Sequence, residues 1–390
     1  MGNAALEWLQ NLPASDLEPI VCQILNQPKV EILNWEVRPL VGGAAEYVGL
    51  GFGVYQVTGQ ARFDGSDTSW VAVAKILGPS EHVEYNSPAS TVYWKREVLV
   101  YQAKLLEQLP GNMVAARCYK VQEMPDEQHC IWLEAVEEII KDWEMEHHQL
   151  AARHLGQFNG AYLAGHPLPE QKDWMMPGRM HQWLELLPPD RDKLIQFSES
   201  DLGGWLSRHS VDRIMNLWEK RKTLVDAYDR LPTCYCHHDA FRRNLMLRKR
   251  KDNILETVAI DWAFTGPGKV GEEIAVTTCR LLWGMDVSVM QAHDFDAAVF
   301  EGYSAGLRDA GWKGDLQLAR FGYWATVGLT SGVAFSVYMS DGLAHSGEYT
   351  MFEAFIGHPA DDIIEQWAEV VPFLLDMGEK ALTLLPSLNI

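Results

Sequence analysis

The sequence predicts an α+β fold in which a small antiparallel β-rich region precedes a larger helical one. Three observations carry this: short β-like runs broken by glycine between residues 35 and 77, helical periodicity over most of residues 137–385, and a lone hairpin pattern inside that helical stretch. No internal repeat or low-complexity segment interrupts this order.

Taken in order, Ser15 to Asn26 reads as an amphipathic helix. Ser15 and Glu18 have capping-box spacing, and Leu17, Ile20, Val21, Ile24 and Leu25 form one apolar stripe. "NWEVRPLVGG", "GLGFGVYQVTGQARF" and "SWVAVAKIL" then alternate as strands. "STVYWKREVLVYQAKLLEQL" returns to helical period, with Trp94, Val98, Tyr101 and Leu105 on one face and Ser90 or Thr91 as the expected cap. "ARCYKVQEM" and "HCIWLEAV" are two further strands. Helices follow, broken at "GHPLPE", "MMPGRM" and "LLPPDRD", and "NLMLRKRKDNILETVAIDW" is the isolated hairpin. The expected organisation is a helical extension over residues 1–34, a β-sheet region with one helix over 35–136, and a helical region over 137–390.

With 390 residues, 47% of them hydrophobic, the chain can fill a large core. Its formal charge of -20 repels phosphate, which argues against nucleic acid and anionic lipid as partners and leaves neutral or cationic small molecules. The six cysteines lack C-x-x-C spacing, the start has neither a basic nor a long apolar segment, and Leu6 breaks a myristoylation pattern. No run reaches the roughly 18 apolar residues of a membrane span. A cytoplasmic protein, monomer or homodimer, is expected.

Lys75 lies in the apolar strand "VAVAKIL" and Glu97 on the apolar side of its helix, so each needs a partner of opposite charge or a path to water. Gly49, Gly51 and Gly53 in "GLGFGVYQV" form a side-chain-free turn whose backbone N–H groups can approach phosphate oxygens; no Walker-type loop is present. Further on, His237, Asp239 and Asn244 stand as H-x-D-x-x-x-x-N, and Asp261 ends the next apolar strand. Phosphoryl transfer needs a carboxylate beside the acceptor hydroxyl and oxygen ligands for Mg²⁺, which are these residue types.

This order resembles the protein-kinase-like fold, two-lobed with a small antiparallel-β N-lobe and a large helical C-lobe. It is closest to the aminoglycoside phosphotransferase and choline kinase family of small-molecule kinases. That family carries H-G-D-x-x-x-x-N followed by D-[WF]-x-x-x-G-x-G-x-x-G-x-D; here "HHDAFRRN" is followed by "DWAFTGPGKVGEE", with Gly266, Gly268 and Gly271 in place. The resemblance spans about residues 36 to 290. It implies that Asp239 orients or deprotonates the acceptor hydroxyl, Asn244 and Asp261 bind Mg²⁺, and Lys75, positioned by Glu97, holds the α and β phosphates. It further implies that His237 supports the loop backbone, and that "WLEAV", containing Glu134, joins the lobes and offers backbone to adenine. ATP is the implied nucleotide, with GTP as the alternative.

Three departures stand out. His238 occupies the family's glycine position, the glycine loop is G-x-G-x-G, and Glu273 replaces the usual aspartate. His238 and Glu273 are assigned to the substrate side, together with Trp262, the residue after Asp261. Trp283, Trp312 and Trp324, with Asp286, Glu301, Asp341 and Glu365, suit a cationic or sugar-like acceptor. Choline, amino sugars, aminoglycosides, macrolides and homoserine-like alcohols all fit.

Other readings weigh less. Adjacent His237 and His238 diverge in an extended loop and make no metal pair; His147, His148 and His154 lack H-E-x-x-H and read as structural. Arg248 to Lys251 is a solvated turn, whereas Arg242 and Arg243 fall inside the loop, where one can meet nucleotide phosphate or a carboxylate. The rival to an enzyme is a kinase-like nucleotide- or ligand-binding protein without catalysis.

Overall fold

The computed structural model describes residues 2–40 and 53–390. The fold class is α+β, as the sequence predicts. The chain forms two compact units, one comprising Met1–Leu109, Val114–Ile139 and Val258–Ala263, the other Pro110–Met113, Ile140–Thr257 and Phe264–Ile390.

The first unit opens with helices α1 (Gly2–Gln10) and α2 (Ala14–Leu25). Strands β1 (Glu31–Pro39), β2 (Gly53–Phe63) and β3 (Ser66–Leu77) follow, then helix α3 (Arg96–Gln102) and strands β4 (Met113–Ala115), β5 (Cys118–Glu123) and β6 (His129–Glu134). The sheet is antiparallel in the order β1-β2-β3-β6-β5. Successive strand residues point to opposite faces. Thus Trp70, Ala72, Ala74 and Ile76 of β3 share a core with Leu9 and Ile20 of α1 and α2. Lys75 is left on the other face, in register with Val54 and Ile131.

Two expected caps are corrected. Helix α2 is preceded by Pro13 and has no side-chain cap, so Ser15 lies inside its first turn. Helix α3 begins at Arg96, not at Ser90 or Thr91, and spans 7 residues instead of the 20 or so of the periodic pattern. At its start the cause is Arg96, which is fully buried and donates to the carbonyls of Ser90, Thr91 and Ala263, bonds that hold the preceding segment as turns; at its end the chain leaves the helix with Lys104 at φ +55°. Burial pulls the Arg96 guanidinium down to about 10.

The second unit contains α4 (Met145–Leu163), α5 (Arg179–Leu186), α6 (Arg191–Ser198) and α7 (Arg208–Tyr228), then strand β7 (Thr233–Cys236). Strands β8 (Leu245–Lys249) and β9 (Leu255–Ala259) form the hairpin seen in the sequence, with Arg250 N–H donating to Ile254 O at its turn. Strand β10 (Gly266–Lys269) pairs antiparallel with β7, a pair too short and glycine-rich to read from periodicity. Helices α8 (Glu272–Trp283), α9 (Ala292–Asp309) and α10 (Leu316–Thr326) come next. A π-helical segment, Val327–Phe335, runs on into α11 (Ser336–Ser346), followed by α12 (Thr350–Ile356) and α13 (Ala360–Leu384).

Helices α4 and α9 meet through glycine. A Cβ at Gly156 would lie 2.2 Å from Tyr303 O, and one at Gly306 would lie 2.0 Å from Arg153 O. This close crossing brings Asn159 and Tyr303 together: Tyr303 OH donates to Asn159 Oδ1 at 2.9 Å, Asn159 Nδ2 donates to Tyr235 O at 2.8 Å, and Gly271 N–H donates to Tyr303 OH at 3.2 Å. A buried polar chain thereby fixes β7 and the start of α8, which carry the loop described next. The histidines of α4 are structural. His147 completes a reciprocal cap with Glu144, His148 stacks edge-on against Trp143 and Phe295, and His154 meets Thr257 Oγ1 at 2.8 Å. Among the described residues no helix is long and apolar enough to cross a membrane.

Candidate active site

In the first unit, Lys75 Nζ lies 2.6 Å from Glu97 Oε2 and 2.9 Å from Asp261 Oδ1. Glu97 is fully buried, so this cation is its compensation; its other oxygen accepts the Trp262 N–H at 3.2 Å. Burial opposes the Lys75 charge, but Asp261 and then Glu97 outweigh it and hold the ammonium above its usual range. Asp261 has φ +60°, and its side chain is 39% exposed. Trp262 is buried and donates its indole N–H to Ala259 O at 3.1 Å. Glu134 ends β6, where Oε2 accepts the Arg117 N–H at 3.2 Å. Gly53 opens β2; Gly49 and Gly51 lie outside the described residues.

In the second unit, the chain leaves β7 at His237. Glu273, in the first turn of α8, accepts consecutive backbone N–H groups, from His237 at 2.6 Å and from His238 at 3.0 Å. His237 Nδ1 accepts the Asp239 N–H at 3.2 Å, and Arg179 Nη1 donates to His238 O at 2.8 Å. Thr277 Oγ1 donates to Ala240 O, and Thr265 Oγ1 donates to Cys236 O. The loop backbone from residue 236 to residue 240 is thus gripped by side chains of α5, α8 and the segment before β10.

This grip aims one carboxylate. Asn244 Nδ2 donates to Asp239 Oδ2 and to Asp239 O, both at 2.9 Å. The other oxygen, Oδ1, is enclosed with no hydrogen-bond donor; Arg280 Nε, at 3.9 Å, is the nearest cation. One acceptor position on an otherwise fixed carboxylate is therefore open.

His238, Glu273 and Trp262, expected on the substrate side, are fully enclosed and bonded to backbone. His238 has φ +64°. Its Nε2 lies 3.1 Å from Pro267 O, and since a carbonyl only accepts, Nε2 carries the proton. A Cβ on Gly268 would fall 2.7 Å from His238 Cε1, so that glycine makes room for the ring. Arg242 donates to Lys141 O and Leu245 O and covers Trp143, while Arg243 covers Phe355 and lies 3.8 Å from Asp286. Of the two partners foreseen for these arginines, the structure provides the carboxylate.

Sequence reasoning missed Arg96, Arg179, Glu272 and Arg280. Glu272 is fully buried and accepts the Arg179 and Lys269 N–H groups at 3.0 and 2.9 Å. The signal that exposes Lys75 and Glu97, a charge on an apolar element, also exists for Arg280 in "VTTCRLLW" and for Arg96. Arg179 follows a Pro-Gly turn with no such pattern.

The described residues contain no group of three or more His, Cys, Asp or Glu arranged to hold a metal ion. A Mg²⁺ ion completed by phosphate and water oxygens needs only one or two protein oxygens, and the Asp261 carboxylate and the Asn244 amide are donors of that kind.

Residues 139–309 match the phosphotransferase enzyme family, which bears out the resemblance read from the motifs. No curated protein matches the sequence. Similar solved structures include a microcompartment-associated aminopropanol kinase, 14% identical, with 92% of this chain and 98% of that chain aligned at a TM-score of 0.53. An aminoglycoside phosphotransferase from Alicyclobacillus acidocaldarius aligns over 95% and 96% at 14% identity and a TM-score of 0.48. An ethanolamine kinase from Plasmodium vivax aligns over 89% and 83% at 11% identity and a TM-score of 0.45. The chain thus has the fold of the aminopropanol kinase and, over residues 139–309, the sequence signature of the phosphotransferase enzyme family.

Proposed function

We propose that the protein is a small-molecule kinase that transfers the γ-phosphoryl group of ATP, with Mg²⁺, to a hydroxyl of its acceptor. The observation that carries this reading is Asp239, held by Asn244 through one oxygen while the other is enclosed and undonated. An acceptor O–H pointed at that oxygen would be oriented for attack. The acceptor oxygen bonds to the γ-phosphorus, the bond from that phosphorus to the β,γ-bridging oxygen breaks, ADP leaves, and the hydroxyl proton passes to Asp239.

Bound Mg²⁺ would neutralise charge on the transferring phosphoryl group. Asn244 and Asp261 would each give it an oxygen. Lys75 would hold the α and β phosphates, with Glu97 as its positioning residue, and Gly49, Gly51 and Gly53 would let backbone approach them. The backbone around Glu134 would take adenine. His237, His238 and Glu273 become positioning residues for the loop, in line with their bonds to its backbone, and Trp262 one for Glu97.

A cationic or sugar-like acceptor remains the reading, though not every carboxylate that suggested it faces a site. Glu301 and Glu365 are exposed on helix surfaces, and Asp286 faces Arg243. The test is incubation with ATP, Mg²⁺ and a panel of hydroxylated acids, amines and sugars, reading the mass gain of one phosphate. Wild type should phosphorylate at least one member. Asp239→Asn should abolish this while nucleotide binding persists. Wild type and variant behaving alike would leave a nucleotide- or ligand-binding protein without catalysis.

A further inference from the structure

Helix α8 meets the loop along one face. Glu273, Thr277 and Arg280 stand at i, i+4 and i+7, one above the other on that helix. The first two grip backbone: Glu273 accepts the His237 and His238 N–H groups, and Thr277 donates to Ala240 O. Arg280 reaches the same loop at a side chain, its Nε lying 3.9 Å from Asp239 Oδ1. Both atoms are enclosed, and among the described residues neither has a hydrogen-bond partner.

An arginine at this position is costly to keep. Its neighbours Val276, Thr277, Cys279 and Leu281 are buried, and so is Arg179, which repels it: burial, then repulsion from Arg280, pulls the Arg179 guanidinium down to about 10. Asp239 acts on Arg179 in the opposite direction and is the carboxylate nearest Arg280. From the side of Asp239 the need is mutual. That residue is 7% exposed, and the neutral amide of Asn244 holds only Oδ2, so the buried charge calls for a cation. A cation in hydrogen-bond contact would occupy Oδ1, the atom an acceptor O–H must reach. At 3.9 Å, beyond hydrogen-bonding range, Arg280 compensates the charge and leaves the oxygen free. The ring centres of Phe241 and Phe335 lie 5.9 and 6.0 Å from its guanidinium carbon and give the cation a second favourable contact there. A cation in the last turn of α8 also suits the helix dipole, and that purely structural role is the alternative to be excluded.

We infer that Arg280 is a positioning residue for Asp239, balancing and steering its carboxylate from outside hydrogen-bonding distance so that Oδ1 meets the acceptor hydroxyl unblocked. The inference rests on the kinase reading for the hydroxyl's part, and on the α8 stripe and the pair of enclosed atoms for the rest.

The test makes Arg280→Met and Asp239→Asn singly and together in the full chain, with Arg280→Lys as the variant that keeps the charge. Urea unfolding is the first arm. Arg280→Met should lower the midpoint when Asp239 is intact, because it strands a buried carboxylate; in the Asp239→Asn background it should leave the midpoint unchanged or raise it, because there it removes a cation that Arg179 repels. Arg280→Lys should lower the midpoint less than Arg280→Met does. The second arm follows phosphate leaving Mg²⁺-ATP, with water and the panel of hydroxylated acids, amines and sugars as acceptors. Arg280→Met should lower kcat about 10- to 100-fold with KM for ATP within about twofold, and Arg280→Lys should recover part of the loss. Midpoint shifts of the same sign and size in both backgrounds, as a dipole role alone would give, or an unchanged kcat in Arg280→Met, overturn the inference. No transfer by the wild type to any acceptor, with the midpoint difference between backgrounds intact, sinks the kinase reading and leaves the pairing of Arg280 with Asp239 standing, whereas turnover with equal midpoint shifts does the reverse.

Discussion

His238 offers a test in which the sign of an effect separates two explanations. A side chain in the left-handed region costs about 1–2 kcal/mol relative to glycine, which adopts it freely. The residue has φ +64°, and its ring is fully enclosed and bonded to Pro267 O. Replacing it by alanine keeps the strained Cβ, removes a hydrogen bond of about 1 kcal/mol and leaves a ring-sized void, for a loss of roughly 3 kcal/mol. His238→Gly suffers the same losses but recovers the strain, so it should be about 1 kcal/mol more stable than His238→Ala. At an ordinary backbone position the order is reversed, glycine being the worse by about 0.5–1 kcal/mol. Urea unfolding of both variants, with unchanged slopes, reads the difference as a shift in midpoint. His238→Ala equal to or more stable than His238→Gly would refute the claim that the loop needs a left-handed residue there.

Lys75→Met leaves Glu97 buried without its cation and should cost about 3 kcal/mol of stability; a loss under about 1 kcal/mol in denaturant unfolding would mean that water reaches the carboxylate. Gly306→Ala would drive a Cβ to 2.0 Å from Arg153 O and 2.7 Å from Gln157 N, both backbone atoms, so α4 and α9 must separate. We expect a loss of about 2–3 kcal/mol, and a thermal midpoint equal to wild type would contradict the observed crossing. His148 and His154 are held neutral by burial, with Arg242 and Arg153 respectively adding repulsion, and each falls to about 4. Above the ordinary imidazole value near 6.5 they contribute no pH dependence. As the pH falls from there toward 4, the unfolded chain gains protons that the folded one refuses, and stability is lost. From pH 6.5 to 5 each histidine should remove about 2 kcal/mol. His154→Asn should flatten that slope by its own share in pH-dependent urea titrations, and an unchanged slope would show His154 to be protonated in the native state.

Element types were legible where period and length agreed. The alternating runs of β2 and β3 and the long helices are such cases, because a core on one face imposes the pattern on the sequence. Helix α3 was overread because the stripe of Trp94, Val98 and Tyr101 continues past the point where Arg96 captures three carbonyls, a tertiary event without a local signal. Strands β7 and β10 went unread because four-residue strands carry too few alternations, and Gly266 and Gly268 look like turn residues. Lys75 and Glu97 were found from the cost of burying either alone. The same argument applied to Arg280 would have marked a second cation on an apolar helix, 3.9 Å from Asp239.

The loop also shows why a departure from a motif need not be a loss. Residue 238, where the family motif has glycine, has a left-handed backbone here, and histidine is among the side chains that tolerate it. Tolerance is not enough, because the ring must go somewhere dry and keep its N–H bonded. Gly268 gives it space and Pro267 O gives it an acceptor, so the second motif contains the compensation for the first. Glu273 follows the same logic. Its extra methylene over aspartate lets one carboxylate from the first turn of α8 span the N–H groups of both His237 and His238. If the two departures are coupled in this way, Glu273→Asp should disturb wild type more than His238→Gly, where a glycine backbone can adjust to the shorter reach. A double-mutant cycle in urea should then give a coupling of about 1 kcal/mol in that direction, and strict additivity would show that each departure stands alone.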